Sequence, residues 1–241
     1  MKLTYFYLAL SSEDFSDTRI VSAMNFQSDF FTHYVEKKMR LLKFETTDYN
    51  FLMIRIRKTA KDFFLIDKTF KYLEVEIPFD ENRYKELYPF ENEYPLNGCL
   101  KPILKEAEFN NFVFEMIMQG LIKCKDQDAP IPHDFLINMV LDFKSNGFKN
   151  EWVHKARTFK NHFIKASLSC KLTCNYFSLE LVIEKNKKEV FRKEILKTLP
   201  SSIMYKDQFK DIIVEDNILK VTTDDLDNPI LFEFDLLKLN S

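Results

Sequence analysis

Four histidines and four cysteines are the first places to look for chemistry in this chain of 241 residues. No two of His33, His133, His154 and His162 lie four apart, as two zinc ligands on one helix face would. His162, Cys170 and Cys174 form the nearest thing to a ligand cluster. Zinc sites usually pair a C-x2-4-C element with a second ligand pair. Cys170 and Cys174 meet that spacing, but the surrounding alternation puts both sulfurs on the apolar face of one strand, about 13 Å apart at about 3.3 Å per residue. One metal ion cannot hold both, so they read as core residues; Cys99 and Cys124 could each meet a histidine in space, but any chain with four of each offers such pairings. Nucleophilic catalysis has no G-x-S-x-G elbow and no Cys-Gly-x-Cys-Trp signature to rest on. His154, between Trp152 and Arg157, is the one lone candidate for a catalytic base, and an exposed helical histidine is the simpler reading. Paired carboxylates about 5 to 10 Å apart suffice for glycoside hydrolysis. Glu91/Glu93 and Asp224/Asp225/Asp227 qualify by type, although both sets fall in polar, turn-like stretches where solvated acids are the rule. No catalytic, cofactor-binding or metal-binding residue is assigned on these grounds, and the expectation is a protein that is not an enzyme. An enzyme whose carboxylates or His154 converge only in three dimensions is the alternative.

Binding by contact needs no such motif, because an interface is a patch of buried aromatic anchors with a polar rim. Tyr88-Pro89-Phe90-Glu91-Asn92-Glu93-Tyr94-Pro95 offers rigid tyrosines framing an acidic segment, held out of helix by its two prolines. With the turn Asp224-Asp225-Leu226-Asp227, it gives the candidate partner-binding residues Tyr88, Glu91, Glu93, Tyr94, Asp224, Asp225 and Asp227. Acidic loops with aromatic anchors suit docking on a basic protein surface and speed association. The opposite case is the 144–165 segment, where Lys144, Lys149, Lys155, Arg157, Lys160 and Lys165 interleave with Phe148, Trp152, Phe159 and Phe163. That pattern suits single-stranded nucleic acid, and a nucleic-acid-binding regulator is a further alternative. An amphipathic helix with core aromatics and solvated lysines is the preferred reading.

Composition narrows these options. Lys plus Arg number 35 and Asp plus Glu 37, for a net charge of −2, so there is no global basic footprint and no nucleic acid partner is expected. Charge is uneven locally. Residues 143–197 hold 13 basic against 5 acidic groups, and residues 207–235 hold 9 acidic against 2 basic. Interleaving of these stretches in the fold is expected over a segregated field. The chain has 25 Phe, 10 Tyr and only 3 Gly, where average usage would give roughly 17 Gly. That scarcity argues against phosphate-cradling loops and strained nucleophile elbows, which need backbone that glycine tolerates.

The elements that must position these groups change character along the chain. Residues 3–10 read as a buried strand, having one positive charge and no small-residue cleavage site to make a signal segment. Phe31, Tyr34, Val35, Met39 and Leu42 predict a helix over 28–45 with Ser28 as its N-cap. Leu52, Ile54 and Ile56, and Leu73, Val75 and Ile77, alternate with polar residues and predict two half-buried strands. If those two pair, Arg55 and Arg57 can face Glu74 and Glu76. Helices are expected from Pro102 to Ile122 and from Pro132 to the Asn146-Gly147 stop, then a short third helix placing Trp152, Val153, Ala156 and Phe159 on one side. From Ile164 onward a clean period of two and short polar turns predict an antiparallel meander. Its strands are expected at 164–174, 177–183, 190–196, 212–214, 218–221 and 230–234. The fold class is therefore α+β, N-terminal mixed strands and helices packed on a C-terminal antiparallel β-meander. A mixed region spans residues 1–160, with a helical middle, and a β subdomain spans 161–241, the two forming either separate units or one continuous domain.

No window is apolar enough for a membrane helix, and four scattered cysteines suit reduced thiols in the cytoplasm. Gly147-Phe148-Lys149-Asn150-Glu151-Trp152 and Lys197-Thr198-Leu199-Pro200-Ser201-Ser202-Ile203, in a glycine-poor, Phe/Tyr-rich α+β chain, give it a style across its length. In that style it resembles the cytoplasmic immunity proteins that neutralise bacterial polymorphic or contact-delivered effector toxins, of the type VI secretion or Rhs type. The resemblance implies a stoichiometric inhibitor that occludes a cognate toxin's active site or blocks its assembly. It carries no residue roles, since no diagnostic motif is matched. A monomer without cofactor or membrane association is expected.

Overall fold

The computed structural model describes residues 1–15, 18–87 and 102–240, and the chain divides into two units, Met1–Lys149 and Asn150–Ser241. It contains both helices and sheets and is an α+β protein. The first unit runs β1 (Tyr5–Leu10), α1 (Thr18–Gln27), α2 (Asp29–Leu42), β2 (Phe51–Arg57), β3 (Leu65–Asp67), β4 (Tyr72–Pro78), α3 (Glu81–Leu87), α4 (Glu106–Asp126) and α5 (His133–Ser145). Its sheet has the order β1-β2-β4-β3, with β1, β2 and β4 parallel and β3 antiparallel at one edge.

Register explains the core of this unit. Phe6, Leu52 and Leu73 align across the three parallel strands, then Leu8, Ile54 and Val75, then Leu10, Ile56 and Ile77, and all nine are buried. Alternation puts them on one face. Helix α4 comes so close to that face that a Cβ on Gly120 would sit 2.6–2.8 Å from three side-chain atoms of Ile54. Beside α2, Phe31 meets Phe143 edge-to-face at 4.9 Å and Tyr34 stacks on Phe143 at 3.9 Å, tying α2 to α5.

The expected pairing of the 52–57 and 72–77 strands is present, but their second face is not simply wet. Glu74 and Glu76 are only 7% and 3% exposed. Arg55 pairs with Glu74 at 2.7 Å, while Arg57 turns to Glu13 and Asp14, and Glu76 accepts the Lys61 backbone N–H at 2.8 Å. Ser28 stands at the expected N-cap position of α2, its carbonyl accepting the Phe31 N–H at 3.0 Å, but its backbone angles are helical and its hydroxyl faces the Asn25 carbonyl instead of capping the helix. Helix α1, rich in β-branched residues that lower helix propensity, ends against Ser28 and leaves it no capping geometry: the Ser28 N–H donates to Met24.

The second unit begins at Asn150, eleven residues before the start expected from the sequence. Residues Asn150–Phe159 form a strand, β5, where a short helix was expected. A bulge between Val153 and Lys155 shifts strand parity, and the expected stripe does not share a face: Trp152 and Phe159 lie opposite the buried Cys170 and Ile164, whereas Val153 and Ala156 lie opposite Ser169 and Ser167 and are exposed. The unit continues with β6 (Ile164–Leu172), β7 (Phe177–Lys185), β8 (Lys188–Thr198), the short α6 (Ser202–Tyr205), β9 (Ile212–Glu215), β10 (Ile218–Thr222) and β11 (Ile230–Asp235). The expected antiparallel meander is realised as two sheets, β5-β6-β7-β8 and β11-β10-β9. Phe191 and Phe234, 4.1 Å apart, join them. Phe177 stacks on Tyr205 at 3.8 Å and lies parallel to Phe209 at 5.6 Å, filling one end.

Scarce glycine leaves a mark on the backbone. Nine non-glycine residues among the described ones take positive φ. Asn186 and Lys187 do so between β7 and β8, and Asp216 and Asn217 between β9 and β10. Two successive positive φ values are the type I′ pattern that matches strand twist, normally supplied by Asn-Gly.

Candidate functional site

The turn between β10 and β11 carries three of the seven residues picked from the sequence, and the chain wires it tightly. Thr223 donates its backbone N–H to the Pro229 carbonyl at 3.0 Å and its hydroxyl to the Asn228 carbonyl at 2.6 Å. The same hydroxyl accepts the Asp225 N–H at 3.0 Å. Asp225 in turn accepts the Asp227 N–H at 2.9 Å, an Asx turn of the kind short acidic side chains favour. At the base, Asp224 donates its N–H to the Asp207 carbonyl and pairs through its carboxylate with Lys210 at 2.5 Å.

These bonds set the electrostatics. The Asp227 N–H and then the Asn228 amide hold the Asp225 carboxyl below the usual carboxylate range. The Asp224 carboxylate raises the Lys210 ammonium above its ordinary value. Asp225 is therefore ionised throughout the neutral range and a poor proton donor there, because a general acid needs a pKa near the working pH. Such a turn can present fixed negative charge to a cationic surface. At its tip Leu226 is 96% exposed, with Asp224 and Asp225 before it and Asp227 after it. The sequence reading weighed the aspartates and passed over this leucine. The signal was a lone apolar residue inside Asp-Asp-Leu-Asp-Asn-Pro, a stretch otherwise built for turning.

The other candidates are placed apart from it or not at all. Tyr88, Glu91, Glu93 and Tyr94 lie outside the described residues. His154 sits in the β5 bulge with its ring edge-on to Phe209 at 4.8 Å, a packing contact. The 144–165 segment is no single helix, since it runs from the end of α5 through β5 into β6. Four of its six cations have partners within the chain. Lys144 lies 4.2 Å from the Phe114 ring, Lys155 and Arg157 both reach Asp211, and Lys165 pairs with Glu184 at 3.4 Å. The Asp211 pairs join the basic 143–197 stretch to the acidic 207–235 one, as interleaving requires.

Cys124, Cys170 and Cys174 are buried, and burial pushes the Cys124 thiol up to about 12. A thiol in that state is inert at neutral pH. Among the described residues, no group of three or more His, Cys, Asp or Glu side chains is arranged to hold a metal ion. No helix among them is long and apolar enough to cross a membrane. The sequence matches no family model, and no curated protein and no solved structure is similar to it.

Proposed function

We propose that this chain is a cytoplasmic, stoichiometric inhibitor of a bacterial effector toxin, acting by occluding the toxin's active site or blocking its assembly. One observation carries the reading: a fully exposed leucine held at the tip of a hydrogen-bonded acidic turn. An exposed apolar side chain on a pre-ordered loop costs little further ordering when it binds. The flanking carboxylates favour a cationic cleft as its destination, and a nuclease or other nucleic-acid-directed toxin presents such a cleft. Leu226 then supplies the anchor that enters an apolar pocket, and the aspartates supply steering.

The test is kinetic. Asp224→Asn, Asp225→Asn and Asp227→Asn combined should slow association with the isolated partner at low salt and flatten its salt dependence. Leu226→Ser should raise the dissociation rate about tenfold with little change in association. Unaltered rates in both variants would remove the turn from the interface.

A further inference from the structure

A second surface lies in the other unit, along α4. Phe114, Met118 and Ile122 recur every four residues on one side of this helix. Ile122 is 46% exposed although the rest of α4's apolar set is largely buried. They line an open groove of about 720 Å³ whose far wall is Ala60, Asp62 and Pro78. A second groove of about 460 Å³ continues past Glu115 and Gln119 to Arg83 and Phe112. From Phe114 to Ile122 is 8 residues of rise, so at about 1.5 Å each the ridge runs about 12 Å, roughly two turns of a partner helix.

The wall is fixed before anything binds. Lys123 Nζ donates to the carbonyls of Lys61 and Glu76, and Gln127 Nε2 donates to the Asp62 carbonyl at 2.6 Å, tying the 60–62 loop to the end of α4. Across the helix, Arg83 pairs with Glu115. Charge decides the occupant. Asp62, Asp80, Glu115 and Asp126 line the two grooves against Arg83 and Lys123, with Lys144 beside them over the Phe114 ring, an excess of one negative charge; Arg83 is held by Glu115, and Lys123 by the two carbonyls and, at 3.8 Å, by Asp62. Lys125, on the same last turn, is taken by Asp134 at 2.9 Å. The carbonyl end of α4 adds to the negative potential there.

We propose that this groove is a docking site for a basic amphipathic helix of a partner protein. Apolar residues of that helix, spaced three and four apart, fill the Phe114–Met118–Ile122 ridge. Its lysines or arginines meet Asp80 and Asp126. This is the helix-in-groove mode of recognition, in which apolar anchors give affinity and rim charge gives orientation. It stands apart from the acidic turn, because it concerns the other unit and is tested with a free peptide and no toxin.

The experiment uses the full chain and a fluorescent synthetic peptide of leucine and lysine, about 14 residues long, with leucines on one helical face. A peptide of the same composition with the order scrambled is the control. Anisotropy titrations should show the amphipathic peptide binding about tenfold tighter or more than the scrambled one. Ile122→Lys and Gln119→Lys, both exposed positions, should each weaken that binding about tenfold, whereas Ile203→Lys, an exposed isoleucine of the second unit, should leave it within about twofold. Far-UV circular dichroism checks that each variant keeps its helix content. Equal binding of the two peptides, or equal effects of the groove variants and Ile203→Lys, overturns the proposal.

Discussion

The two four-stranded sheets protect themselves in opposite ways. In the N-terminal unit, helices do the work: Glu36 of α2 accepts the Phe6 N–H at 3.2 Å and Asn25 of α1 accepts the Leu10 N–H at 2.8 Å. Both donors belong to the outer strand β1, so side chains from the covering helices occupy its free edge. In the C-terminal unit the edge strand β8 carries Lys188, Glu189, Arg192, Lys193, Glu194 and Lys197, and Arg192 is clamped by Glu180 and Glu189. Charge along an edge strand is the usual guard against pairing with another chain. The first strategy depends on helices approaching closely, and the second depends on turns that hold register without help. Stability should therefore respond to different substitutions in the two units.

The largest effect is expected at the ring stack of the second unit. Phe177→Ala removes the ring between Tyr205 and Phe209 and should cost about 3–5 kcal/mol. Urea unfolding followed by the emission of Trp152, the sole tryptophan and 6.1 Å from Phe177, measures it. In the first unit the sensitive point is the helix–sheet approach. Gly120→Ala gains up to about 1 kcal/mol in helix propensity, but its methyl would press on three atoms of Ile54 and overpacking costs about 1–3 kcal/mol. A net loss of about 1–2 kcal/mol is expected, and a gain would show that α4 can shift away from β2.

Smaller changes separate the turn from the edge. Lys187→Gly relieves a side chain held at φ 62° in the β7–β8 hairpin. It should stabilise by about 0.5 kcal/mol, the left-handed strain removed exceeding the added freedom of the unfolded chain. At the β1 edge, burial pushes the Glu36 carboxyl above its ordinary 4.5, opposed by the Phe6 N–H and Arg40. Between 4.5 and that raised value the folded chain holds more protons than the unfolded one. Its stability therefore falls as pH rises through that window and is level above it. Glu36→Gln keeps an acceptor for Phe6 and should flatten the curve there. An unchanged slope, measured by urea unfolding at a series of pH values, would mean that Glu36 is not the group responsible.

Legibility in the sequence follows the same division. Strands announce themselves by an apolar period of two, both where one face is dry, as in β2 and β6, and where the two faces are buried, as in β4 and β7. Strand β5 reads as a helix because Val153 and Ala156, apolar but exposed, complete a helical spacing with Trp152 and Phe159, while the bulge breaks the alternation that would mark a strand. Helix α1 has only ten residues, and the β-branched Thr18, Ile20 and Val21 at its start lower helix propensity, so the helical spacing of Ile20, Val21, Ala23 and Met24 is a weak signal. Burial of Glu74 and Glu76 depends on Arg55 and on the Lys61 loop folding over them, contacts that no single segment encodes. At the candidate site the aspartates were visible as charge. The importance of Leu226 was not, because exposure is a property of the fold. The α4 groove was likewise hidden, since the exposure of Ile122 is a property of the fold.

The most direct measurement is affinity capture from the native host on immobilised wild-type chain and on a Leu226→Lys chain, quantified by mass spectrometry. The account expects one protein retained near one-to-one by the wild type, lost from the variant, and toxic when produced without the wild-type chain. Capture of the same proteins in the same amounts by both chains would contradict it.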